Sequence, residues 1–311
     1  MKAVRCGDSG VVVTEVPEPS GDGVEVRIRS SGICGSDLHL LTAGLTATLG
    51  HEFAGVTPDG TPVAVEPLVP CGSCEPCASG RYNHCTSGPS MVLGVGRDGG
   101  MAEKVVVPAS TLIPLPSPVP VSDACLVEPL AVAVHGIRRV GLASTERVAV
   151  IGGGTIGLAG VAAARSTGAA VDLVARHDAQ KEAGSRLGAG EVSDSEPYDV
   201  VIDAAGSTES LARAVDLARP CGRLLVLATF WGGMTVNGLG LCMKEIDIVP
   251  ASMYGRHGPD RDVDAAATLL ASNPEIARAI ITHRFPLEAA PEAFAVAADR
   301  RAGAIKVVLE P

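Results

Sequence analysis

The stretch from Arg147 to Gly157 limits the fold of this chain more than any other. An apolar strand, Arg147 to Ile151, runs straight into Gly152-Gly153-Gly154-Thr155-Ile156-Gly157 and then into an Ala-rich helix, Ile156 to Ser166. G-x-G-x-x-G between a strand and a helix is a pyrophosphate-binding arrangement. Gly152 makes the turn, Gly154 lets a phosphate approach the backbone, and Gly157 lets the helix pack on its strand. Thr155 and Ile156 open the helix, whose N-terminus faces the phosphates. Strand and helix keep alternating: strand Ala170 to Ala175, helix Lys181 to Leu187, strand Val200 to Ile202, helix Leu211 to Leu217, strand Leu224 to Leu227. This alternation predicts a parallel sheet with helices on both faces, a doubly wound Rossmann domain over residues 131–256.

The end of the second strand bears on the choice between the two nicotinamide dinucleotides. A carboxylate there would bond the ribose hydroxyls. The strand ends on Ala175, followed by Arg176 and His177, with Lys181 one turn further on. Cations without a carboxylate suit a 2′-phosphate, which predicts NADP(H) in preference to NAD(H). Asp172 is the competing ribose acid, but it lies inside the strand.

The rest of the chain reads differently. Val11 to Val13, Val24 to Ile28, Val63 to Glu66 and Val105 to Val107 are short strands between Pro- and Gly-rich turns. Helices over Val263 to Leu270 and Pro291 to Ala297 and a strand over Ile305 to Leu309 close the chain. Residues 1–130 and 257–311 are therefore expected to form an irregular β domain. The net charge of −10 argues against nucleic acid as a partner. No apolar run is long enough to span a membrane, and the start lacks the apolar run of a signal peptide. A cytoplasmic protein acting on small molecules is expected.

Nine cysteines in a reducing compartment argue against a disulfide framework. Four of them cluster as Cys71-x2-Cys74-x2-Cys77-x7-Cys85, and thiolates at this spacing can wrap one tetrahedral zinc. Gly72, Pro76 and Gly80 suit the turns this needs. A fifth, Cys34, lies in Gly32-Ile33-Cys34-Gly35-Ser36-Asp37-Leu38-His39, which puts a thiol, a hydroxyl, a carboxylate and an imidazole within eight residues.

These stretches stand in one order with Gly50-His51-Glu52 and Val127-Glu128-Pro129-Leu130-Ala131-Val132-Ala133-Val134-His135. Together they resemble the zinc-dependent medium-chain dehydrogenase/reductase family, from the N-terminus to the last strand. Glu128 to His135 looks most like the polyol branch of sorbitol, butanediol and threonine dehydrogenases. The resemblance implies a GroES-like catalytic domain beside the Rossmann domain, with one catalytic and one structural zinc. It makes Cys34 and His51 catalytic zinc ligands. It places Glu128 where the polyol branch has Glu, and Glu52 as an acid against the zinc able to enter its coordination sphere. Asp37 matches a carboxylate that orients His51. Ser36 and His39 match a proton relay that runs through the cofactor ribose. Cys71, Cys74, Cys77 and Cys85 match the structural site. A homodimer or homotetramer is implied as well.

The chemistry of these residue types agrees. A zinc with an open position polarises an alcohol oxygen for hydride transfer, and buried groups must then carry off the hydroxyl proton. The expected reaction converts a secondary alcohol, of polyol, sugar or cyclitol type, to its ketone. Leu40 to Leu49 and Gly55 to Thr61 are shorter than in the family, which suggests an open pocket. Two other readings are a zinc-independent reductase of activated double bonds and a non-catalytic NADP(H)-binding regulator.

Overall fold

The structure, a computed structural model, describes residues 1–7, 10–299 and 301–311. They form two compact units. One comprises Met1–Glu128, Gly255–Ala277 and Ile281–Pro311; the other comprises Pro129–Tyr254 and Arg278–Ile280.

The second unit is built on a six-stranded, all-parallel sheet. Its order is Gly190–Glu191, Ala170–Val174, Arg147–Ile151, Tyr198–Asp203, Ala218–Val226 and Asp247–Pro250. The chain starts mid-sheet and winds outwards in both directions. The loop after Arg147–Ile151 thus lies where the strand order reverses, the ligand crevice of open α/β sheets. Val148, Ala149, Val150, Val200, Val201, Ile202, Leu224 and Leu225 are all fully buried, as parallel strands covered on both faces require. Leu211, Ala214, Val215 and Leu217 of the helix Thr208–Leu217 pack on Ala149, Val201 and Leu224. A leucine buried this completely contributes about 1.5–3 kcal/mol. With few aromatics, the layers close tightly on small residues. A methyl group at Gly136 would stand 2.6 Å from the Leu227 side chain.

Two details depart from the sequence reading. The helix expected from Lys181 begins at Asp178, because extended His177 takes the N-cap position. The edge strand Asp247–Pro250 has no alternation to announce it and carries both Asp and Pro.

The first unit holds a seven-stranded, mostly antiparallel sheet. Its path runs Ile281–Pro286, Lys306–Glu310, Val24–Ile33, Glu52–Val56, Pro62–Val65 and Leu112–Pro114, with Lys104–Val107 also on Val24–Ile33. A separate hairpin pairs Lys2–Gly7 with Gly10–Glu15. The pairing that matters most is antiparallel, Val24–Ile33 with Glu52–Val56, in a register that sets Gly32 opposite Glu52. On the other side of the same strand, Val307 faces Ile33 and Val308 faces Gly32. Residues 57–61 form a tight turn closed by Thr57 N–H on the Thr61 carbonyl at 3.0 Å. No helix among the described residues is long and apolar enough to cross a membrane.

Candidate active site and metal centres

Strand pairing assembles the first centre. The strand ending at Ile33 delivers Cys34, and the strand starting at Glu52 delivers His51 and Glu52 beside it. Seventeen residues of separation become neighbours because Gly32 and Glu52 pair. Gly50, at φ +98°, makes the turn before His51. One ligand atom each from Cys34, His51 and Glu52 falls within a sphere where all lie within 4.8 Å of one another. A thiol, an imidazole and a carboxylate at this spacing fit zinc with one position left over. Glu52 is almost wholly buried.

The ring of His51 is oriented from both sides. Nδ1 faces Asp37 Oδ1 at 3.3 Å, and Nε2 lies 3.3 Å from Ser36 Oγ. Asp37 is itself buried, and its Oδ2 accepts the Cys34 N–H at 2.9 Å, so one carboxylate ties the thiol-bearing backbone to the imidazole. A carboxylate on Nδ1 leaves Nε2 for a metal. Burial lowers the pKa of His51. The Asp37 carboxylate and the Cys34 sulfur more than reverse this and hold it well above the usual imidazole range. Zinc uptake by such a ring must displace a proton.

The other residues expected here are placed as follows. Ser36 and His39 lie one turn apart on the short helix Gly35–Leu40, a spacing that puts them on one face. Glu128 stands in the first turn of the helix Val127–Val140. It does not belong to the converging group, whose acid is Glu52. A residue passed over in the sequence completes the surroundings. Lys306 is 2 % exposed, and its Nζ lies 2.5 Å from Glu52 Oε2 and 3.0 Å from the Ile33 carbonyl. Burial lowers its pKa, but Glu52 outweighs this and the ammonium is held above its usual range. A lysine within the apolar run Ile305 to Leu309 was the signal that could have revealed it.

The second centre is the four-cysteine lobe, Cys71, Cys74, Cys77 and Cys85. Sulfurs at about 2.3 Å from one tetrahedral ion stand about 3.8 Å apart. The observed separations are 3.3 Å for Cys74–Cys77, 3.9 Å for Cys74–Cys85 and 4.0 Å for Cys71–Cys77. Backbone N–H groups of Ser73 and Cys74 pull the Cys71 thiol down to about 5, into thiolate range. The lobe fits a structural zinc. A buried network ties it to the rest of the unit: Tyr82 Oη donates to Glu66 Oε1 at 2.5 Å, and Arg261 Nη1 donates to Glu66 Oε2 at 3.1 Å. The Arg256 N–H also donates to the Gly80 carbonyl at 3.0 Å. Tyr82, Glu66 and Arg261 were missed in the sequence, since nothing local announces a network across 195 residues.

The glycine loop lies in the second unit. Gly152 takes φ +109°, a conformation glycine accepts and other residues resist. A methyl group at Gly157 would come within 1.7 Å of the Gly152 carbonyl oxygen, so only glycine lets the helix start here. A methyl group at Gly154 would meet nothing within 4 Å, and this open side at the helix N-cap is where a pyrophosphate fits. Thr155 and Ile156 form the first turn. Gly157→Ala should therefore weaken dinucleotide binding about 5- to 150-fold, from about 1–3 kcal/mol of overpacking. Fluorescence titration with NADPH measures this, and unchanged affinity would contradict the packing argument.

Arg176 lies between the second strand and the next helix, and His177 caps that helix. Lys181 Nζ is paired with Asp178 Oδ1 at 3.2 Å on the surface. Asp172, mid-strand, accepts the Tyr198 hydroxyl at 2.8 Å and lies 3.5 Å from Arg147 Nη2, so its carboxylate is engaged away from the strand end. Asp203 was missed. It is buried at the end of its strand, where its Oδ1 accepts the N–H groups of Ala205 and Gly206 and its Oδ2 accepts the Ser210 hydroxyl, shaping the neighbouring loop.

Two family models match this chain: the alcohol dehydrogenase GroES-like domain over residues 20–117 and the zinc-binding dehydrogenase over 155–272. Sorbitol dehydrogenase of Gallus gallus is 32% identical, covering 98% of this chain and 94% of its own. The chain belongs to the zinc-dependent medium-chain dehydrogenase/reductase family. It is an alcohol dehydrogenase of the zinc- and nicotinamide-dependent kind, with named polyol dehydrogenases among its relatives. Solved relatives carry either cofactor. A zinc-binding dehydrogenase of Sinorhizobium meliloti 1021 bound to NADP has a TM-score of 0.87 at 29% identity, covering 100% of this chain and 99% of its own. The RspB alcohol dehydrogenase of Escherichia coli CFT073, complexed with NADH, has a TM-score of 0.86 at 27% identity, with the same coverage. The GroES-like β domain and the Rossmann sheet expected from the sequence are both present.

Proposed function

We propose that this dehydrogenase reversibly oxidises a secondary alcohol of polyol, sugar or cyclitol type to its ketone, with NADP(H) preferred over NAD(H). The observation that carries the reading is the convergence of Cys34, His51 and Glu52 with Ser36 beside them. Zinc bound there supplies a Lewis acid that polarises the alcohol oxygen, while the nicotinamide accepts the hydride. The chain's own groups do the rest. Cys34, His51 and Glu52 hold the metal, and Asp37 keeps the tautomer of His51. Ser36 receives the hydroxyl proton, and His39, on the same helical face, relays it outward. Glu128, in the first turn of the helix Val127–Val140, is a further carboxylate that would be available to the metal. Cys71, Cys74, Cys77 and Cys85 hold a second, structural zinc.

The cofactor preference rests on Ala175, Arg176 and His177. No carboxylate ends the second strand, and Asp172 is committed to Tyr198. NADPH should therefore give at least a tenfold higher kcat/KM than NADH. Arg176→Ala should cut that ratio about tenfold or more, since a charged hydrogen bond to phosphate is worth about 1.5–3 kcal/mol. A strong preference for NADH in the parent enzyme would sink the assignment. Assaying polyols, amino alcohols and their ketones with both cofactors tests the substrate class. One zinc per chain instead of two would favour the zinc-independent reductase, and cofactor binding without turnover on any substrate would favour the regulator.

We infer a homodimer or homotetramer, a reading that the second unit's surface supports. Trp231, Met234, Leu239 and Met243 are exposed there, and the edge strand Asp247–Pro250 pairs on one side only among the described residues. Exposed apolar groups beside an open sheet edge are a surface that association would cover.

A further inference from the structure

Lys306, buried in an ion pair with Glu52, has no part in the chemistry above. Three adjacent strands build the pair. Lys306 opens the strand that lies on one side of Val24–Ile33, and Glu52 opens the strand on the other side. The lysine reaches across the intervening strand at Gly32, which has no side chain to obstruct it. A methyl group at Gly32 would stand 2.3 Å from Glu52 Oε2, 3.2 Å from Lys306 Cδ and 3.3 Å from Glu52 Cβ. The ammonium is held at a second point by the Ile33 carbonyl, 3.0 Å away and one residue before Cys34. A pair this deep adds little net stability, because removing both charges from water offsets their attraction. Its position suggests another use. Glu52 is also the acid of the Cys34, His51 and Glu52 group. A carboxylate has two oxygens. With one sulfur and one nitrogen already offered, both oxygens together would complete four-coordination and leave zinc no open position.

We propose that Lys306 is a positioning residue that retains one oxygen of Glu52, so that Glu52 gives zinc a single oxygen and the metal keeps a place for substrate. This rests on reading Cys34, His51 and Glu52 as the ligands of the catalytic zinc. Lys306 Nζ bonds Glu52 and the Ile33 carbonyl. It acts only through the carboxylate, and Gly32 is the gap that permits it.

The test exchanges cobalt(II) into the full-length protein and titrates it with imidazole, which perturbs the visible spectrum only where a coordination position is open. The four-thiolate site is closed and stays silent. The parent protein should hold two metals per chain and show the imidazole shift. Lys306→Met should still hold two metals but bind imidazole at least tenfold more weakly. Lys306→Arg, which restores a donor to Glu52, should bind within about threefold of the parent. Gly32→Ala severs the same pair while keeping the lysine, and it should reproduce the Lys306→Met spectrum. Circular dichroism monitors folding, and Gly32→Ala carries the test if Lys306→Met does not fold. A parent with two metals whose Lys306→Met or Gly32→Ala variant binds imidazole unchanged overturns the proposal alone. A parent that holds one metal per chain overturns the underlying zinc reading and the proposal with it.

Discussion

Cys34→Ala should lower kcat/KM about 1,000-fold or more on whatever alcohol the enzyme oxidises, with little change in melting temperature. The thiol is part of a three-donor group in which each member offers a different kind of ligand atom. Without its sulfur, His51 and Glu52 are left as the donors of that group, too few to hold a catalytic zinc firmly. Metal polarisation of the reacting oxygen is worth several kcal/mol, and each 1.36 kcal/mol is tenfold in rate. The structural cost should be small because Cys34 is only half-buried and the Asp37 carboxylate is held by the Cys34 backbone N–H, which alanine keeps. Zinc analysis should fall from two atoms per chain to one. Undiminished turnover in a variant retaining a single zinc would exclude metal-assisted chemistry at this site.

The second large effect concerns the other centre. Cys77→Ala should lower the melting temperature by roughly 8–16 °C and release residues 255–264 to hydrogen exchange. Zinc at about 1,000 times its dissociation constant stabilises a fold by about 4 kcal/mol, and each kcal/mol shifts a melting point by about 2–4 °C for units of this size. Cys71 is exposed and Cys74 and Cys77 only partly buried, so a metal held by the four thiols would be what orders the lobe. Its order is passed on through Tyr82 to Glu66 and the Gly255 carbonyl, and through Gly80 to Arg256. Differential scanning calorimetry and exchange mass spectrometry read the two effects. A melting point within about 2 °C of the parent would show that the four thiols carry no structural metal.

The Rossmann unit was legible because its signals are local. Arg147–Ile151 and the glycines after it form one continuous segment whose backbone chemistry is set by neighbours in the chain, and the helix Thr155–Ser166 begins where Gly154 and Gly157 permit it. The edge strand Asp247–Pro250 was not legible. It exists because Arg223 to Val226 offers it a partner, and no pattern of its own would make it a strand. The four-cysteine lobe was readable for the same reason as the glycine loop, its ligands falling within fifteen consecutive residues.

The catalytic centre divides along that line. Cys34, Ser36 and Asp37 stand within one short stretch of the sequence, and the family resemblance joined His51 to them. It left Glu52 and Glu128 as competing acids. Tertiary structure weighs between them, since strand register sets Glu52 beside Gly32 and within reach of Cys34 and His51, while Glu128 starts a separate helix. Register also determines that Lys306, 254 residues after Glu52, ends against its carboxylate. A motif fixes which atoms are available for chemistry. Which of them meet depends on long-range strand pairing, where a slip of one residue turns every side chain to the opposite face.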